Sequence, residues 1–148
     1  MNIHPIIVHF PIALLTLYAV FELIRFKKVT SQPYWFQIKA ILAVLGTLGA
    51  YVAAASGPDG GGSALKEMHE QFASLTVLIF TIIALAYLLE WFFPSKYSNF
   101  VHRPYIIIPL AILGLVAVTV TGGLGGALVY GTQFDPFMAP IFKLLGVY

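Results

Sequence analysis

Apolar residues run almost unbroken through four stretches of the chain, 5–26, 34–55, 70–93 and 104–128, with most of the charged residues gathered between them. Each stretch reaches the roughly 20 residues that an α-helix needs to cross a bilayer. Charge, proline and glycine bound the stretches, and none shows the alternation of a half-buried strand. The pattern predicts an all-α integral membrane protein: a four-transmembrane-helix bundle forming a single membrane domain over 1–148. The tail 131–148 is too short and proline-broken to span and is expected at the interface. Gly46, Ala50 and Ala54 on the second helix, and Gly114, Ala117 and Thr121 on the fourth, repeat at helical spacing and mark close-packing faces.

The loops orient this frame. Arg25, Lys27, Lys28, Lys39, Lys96 and Arg103 fall in or beside the first and third connections, whereas Lys66 and Lys143 are the bases of the other side. Positive-inside counting places the basic loops in the cytoplasm and both termini outside, in the cell inner (plasma) membrane. Tyr34, Trp35, Trp91, Phe92, Phe93, Tyr97 and Tyr105 form an aromatic belt on the basic side. Glu22 and Glu90 then read as headgroup-level residues, with Arg25 an i, i+3 partner for Glu22.

Composition narrows the chemistry. The 148 residues are 59% hydrophobic and 9% charged, with a mean hydropathy of +0.90, which leaves no room for a soluble domain or a nucleic-acid surface. Cysteine is absent, which rules out disulfides, thiolate metal sites, iron–sulfur clusters and CxxCH haem attachment. No nucleophile–base pair or phosphate loop is present. A redox centre would have to hang on histidine, methionine, tyrosine or carboxylates.

Three of the four histidines fall at the outer level: His4 and His9 in MNIHPIIVHFPIALL, and His69 opening the third helix. His102 stands at the opposite side beside Arg103. Pro5 suits the first helical position and leaves His4 as a cap or accessory group. His9 is about a turn deeper and roughly 140° around the helix from His4. Pro11 removes the hydrogen bond to the Ile7 carbonyl, and the helix is expected to bend beside His9. His69, Phe72, Ala73, Thr76, Phe80 and Ile83 share one stripe, so His9 and His69 are expected to face each other across the interior. Two neutral imidazoles on separate helices suit the axial positions of one haem b, with Gly122, Gly125 and Gly126 letting a flat macrocycle approach the backbone. The same residues leave other readings open. His4, His9, His69 and Asp59 form a nitrogen–oxygen set for copper or zinc, and a cofactor-free structural subunit of a membrane complex needs no site.

HPIIVHFPIALL, the SGPDG turn, His69 and the closing TGGLGGALVYG together resemble the bacterial membrane family known as domain of unknown function 2231 over nearly the whole length. The pattern maps onto His4, Pro5, His9, Phe10 and Pro11, then Asp59, His69, Thr121, Gly122, Gly125, Gly126, Leu128, Val129 and Tyr130. The chain departs from it at GTQFDPF, where a GxGV-like continuation is expected. Members are described as predicted membrane proteins, some of them joined to or encoded with cytochrome-like or Rieske-like redox modules. The resemblance therefore implies an electron-transfer subunit rather than a stand-alone enzyme, with a redox partner protein or a quinone and a homo- or hetero-oligomer as its company.

Overall fold

The computed structural model describes residues 4–57, 62–97 and 101–147. Those residues are helical without strands: α1 (His4–Leu23), α2 (Lys27–Thr30), α3 (Trp35–Ala55), α4 (Ala64–Phe92), α5 (Pro94–Tyr97), α6 (Pro104–Tyr130) and α7 (Ala139–Leu144). Four of these, α1, α3, α4 and α6, are long and apolar enough to cross a membrane. α1 continues through Pro11, so the proline ends no helix here. α4 begins earlier than the apolar run suggests, because Ser63 caps it by accepting a hydrogen bond from the Lys66 N–H. His69 therefore lies in the second turn rather than at the start.

The four long helices close a ring in which α1 packs on α3 and α6, and α4 packs on α3 and α6. α1 and α4 are thus diagonal partners. α3 supplies a buried line of small residues, Ala40, Ala43, Gly46, Ala50 and Ala53. Ala53 takes the inward place expected for Ala54, which is exposed. Gly46 lets α1 approach closely, since a methyl there would come within 2.8 Å of Leu15 Cγ. Gly114 on α6 does the same for Phe80, whose Cζ would lie 2.8 Å from an added Cβ. Tyr18, Phe80 and Tyr87 fill the centre edge to face, with ring centroids 6.1 Å apart for Tyr18–Phe80 and 5.7 Å for Tyr18–Tyr87.

The chain beyond α6 folds back on the bundle. Gly131 ends α6 with φ +87°, a conformation that glycine adopts without the steric cost of a side chain. Met138 then seats on Gly123, and Phe142 of α7 is buried among Leu65, Met68, Phe72, Val120, Leu124 and Ala127. The tail is a lid on one end of the bundle, called below the terminal end. The opposite end, where α1 and α4 finish and α3 and α6 begin, is the loop end.

Candidate functional site

At the terminal end two histidines are anchored in the same way. The hydroxyl of Ser56 donates to the Ala53 carbonyl at 2.9 Å, which leaves its oxygen to accept from His4 Nδ1 at 2.9 Å. His69 Nδ1 lies 3.1 Å from the Thr121 carbonyl oxygen, and a carbonyl can only accept. In both rings the Nδ1 proton is thereby taken up by an oxygen, the arrangement in which a backbone or side-chain oxygen orients an imidazole ligand. Below them the Thr76 and Thr121 hydroxyls lie 3.1 Å apart, so that one donates to the other while its neighbour donates to a carbonyl of its own helix, Phe72 or Ala117, at 2.8 Å.

His9 does not take the place expected for it. The buried side of α1 is Pro11, Leu15, Tyr18, Ala19 and Glu22. At 100° per residue, that stripe extends back to His4. His9 lies about 200° from Pro11, and its side chain is exposed. His4 is therefore the α1 histidine on the buried stripe, where it lies against Ser56 and Gly57 at the end of α3. Of the three glycines expected to cradle a ring, Gly125 touches the histidine site: a Cβ there would sit 3.2 Å from His69 Cε1. Gly122 faces Ile12 at 3.7 Å, and Gly126 has nothing within 4 Å. Asp59 lies outside the described residues. Among those described, no group of three or more His, Asp or Glu is assembled to hold a metal ion.

His4 and His69, on diagonal helices, are the residues that could hold a bis-imidazole cofactor, each with Nδ1 against an oxygen.

A second polar centre lies towards the loop end, where sequence reasoning expected only headgroup-level acids. Glu22 is 1% exposed. Its carboxylate accepts from Lys39 Nζ at 2.9 and 3.0 Å, from Tyr87 Oη at 2.6 Å and from Tyr18 Oη at 3.3 Å. Arg25, its expected partner, is at 3.9 Å and half exposed. Glu90 is also buried and pairs with His102 Nε2 at 2.8 Å. The signal was available in outline: Tyr18 and Glu22 are four apart, Tyr87 and Glu90 three apart, and Lys39 sits inside an apolar helix. Ionisable groups within spans pair with one another.

A family model of predicted membrane proteins, DUF2231, matches residues 1–135 of the chain. No curated protein and no solved structure matches it.

Proposed function

As a member of the predicted membrane protein family DUF2231, this chain does its work in a bilayer, and we propose that the work is electron transfer through one b-type haem at the terminal end, ligated by His4 and His69. The single observation carrying this reading is the matched anchoring of the two imidazoles, Nδ1 to Ser56 Oγ and Nδ1 to the Thr121 carbonyl. Bound there, the haem would supply one-electron redox chemistry at the membrane surface.

The residues of the chain do the rest. Ser56 and Thr121 fix the ring tautomers. Gly125 keeps the backbone of α6 clear of His69. The basic loop end, with Arg25, Lys27, Lys28, Lys39, Lys96 and Arg103, supports a plasma-membrane topology with the terminal end outside. Copper or zinc bound through His4, His9, His69 and Asp59 is the weaker reading, because His9 is turned away from the other two histidines.

The test is an absorption spectrum of the purified full chain, expressed with haem precursor and read as a reduced-minus-oxidised difference. Haem b is expected, with its α-band lost in His4→Ala and His69→Ala and retained in His9→Ala. Protein without a Soret band overturns the reading. Loss in His9→Ala with retention in His4→Ala overturns the ligand assignment.

A further inference from the structure

Charge is divided unevenly between the two ends of the bundle. Of the six acids, Asp59, Glu67, Glu70 and Asp135 belong by sequence to the terminal end, and Glu22 and Glu90 to the loop end. The two at the loop end are withdrawn from the surface: Glu22 is buried against Lys39, and Glu90 is buried against His102. Arg25, Lys27, Lys28, Lys96 and Arg103 stay exposed. The loop end therefore presents cations with no exposed carboxylate among them, whereas at the terminal end Lys66 pairs with Glu70 at 3.4 Å.

The connection between α1 and α3 is a built turn. Ser31 Oγ donates to the Lys27 carbonyl at 2.6 Å and Gln32 Nε2 to the Lys28 carbonyl at 2.9 Å, which satisfies carbonyls at the end of α2. Phe21 stacks on Trp35 at 5.1 Å, centroid to centroid, and closes the base of the turn. Arg25, Phe26, Lys27 and Lys28 are all exposed on it. Among the described residues neither lysine is in an ion pair. Phe26, 76% exposed, stands between Arg25 and Lys27, and Tyr34 is 70% exposed at the far side of the turn. Aromatic rings flanking a span settle at the headgroup level, so the two lysines are held beside lipid phosphates. An orientation signal needs only the charge; it needs neither a hydrogen-bonded turn nor rings beside the bases. A soluble acidic partner would meet the lysines and leave Phe26 and Tyr34 in water.

We propose that the α1–α3 turn binds an anionic phospholipid, its phosphate held by Lys27 and Lys28 and its acyl chains beside Phe26. The site shares no residue with the histidine pair and lies at the other end of the bundle, so it stands or falls independently of the haem.

The experiment uses the full chain in a Trp91→Phe background, where Trp35, at the foot of the turn, is the remaining tryptophan. The protein is reconstituted without haem in phosphatidylcholine vesicles carrying a rising fraction of dibrominated phosphatidylglycerol or of dibrominated phosphatidylcholine, each of which quenches a tryptophan it touches. Both leaflets carry the probe, so the direction of insertion does not matter. One base beside an anionic surface contributes about fivefold, and at low ionic strength the anionic lipid is expected to be preferred beside Trp35 by at least that factor. The preference falls to within about twofold of unity in Lys27→Gln/Lys28→Gln, and likewise in about 1 M salt, where the screening length is about 3 Å. It is unchanged in Lys143→Gln at the terminal end. The side chains of Lys27 and Lys28 are exposed, so the fold is expected to survive their replacement, which circular dichroism checks. Were the double variant to fail to insert, the comparison of the two lipids on the unaltered turn, with its salt dependence, still decides. Equal quenching by the two lipids, or a preference that survives Lys27→Gln/Lys28→Gln, overturns the proposal. Equal quenching together with salt-sensitive binding of polyglutamate to the chain in neutral detergent overturns it in favour of an acidic protein.

Discussion

Lys39→Met removes the cation from a carboxylate that has almost no access to solvent. Glu22 is 1% exposed and Lys39 11% by side chain, with Nζ 2.9 Å from Oε2. At about 3 Å and an effective dielectric of about 20, the pair attracts by about 5 kcal/mol. Part of that is lost again to the desolvation of both groups, and removing one partner of a buried pair costs about 3–5 kcal/mol in practice. The lower figure applies here, about 3 kcal/mol, because Tyr87 and Tyr18 keep donating to Glu22 after the substitution. Glu22→Gln combined with Lys39→Met removes both charges and is expected to recover most of the loss, to within about 1 kcal/mol of the unaltered protein. Unfolding in mixed micelles as a function of sodium dodecyl sulfate mole fraction, followed by tryptophan fluorescence, gives the three differences needed for the cycle. The reasoning is refuted if Lys39→Met costs less than about 0.5 kcal/mol, or if the double variant loses the sum of the two single losses to within about 0.5 kcal/mol.

Two further perturbations probe the packing. Gly46→Ala would force its new methyl into Leu15, 2.5 Å from Cδ2 and 2.8 Å from Cγ. A loss of about 1–3 kcal/mol is expected in the same micellar assay, and an unchanged midpoint would show that α1 and α3 do not meet there. Phe142→Ala empties a site that is 1% exposed beneath the tail. A local loss of about 3 kcal/mol should appear as faster amide hydrogen exchange across 138–147, with the four long helices unaffected. Equal exchange in both proteins would refute the lid.

Much of the architecture was legible before the fold. The four spans follow from apolar runs long enough to cross a bilayer, and the close approaches at Gly46 and Gly114 from residues too small to hold helices apart. The stripe from His69 through Thr76 and Phe80 to Ile83 does line the interior. The start of α4 was less legible, because its first turns, ALKEMHE, are polar and lie outside the apolar run; the Ser63 cap is what extends the helix to Ala64. The candidate site was half legible. His69 faces the bundle as its spacing implied, but depth and a nearby proline favoured His9 over His4, and neither property reports direction. The inward stripe of α1, read back from Pro11 through Leu15, Tyr18 and Glu22, points to His4.

The sequence by itself determined that the chain is a bundle of apolar helices with its histidines and acids at the ends. The tertiary structure decided which side of each helix is inside. In water a helix declares its buried face by being apolar there and polar elsewhere. In lipid both faces are apolar, so the periodicity that would separate them is absent. The direction then rests on small residues and on the few polar groups whose partners lie on other helices. Glu22 finds Lys39 17 residues away and Tyr87 65 residues away, and His4 and His69 each find an oxygen 52 residues away. Those pairings cross between helices, and only the packed bundle brings them together.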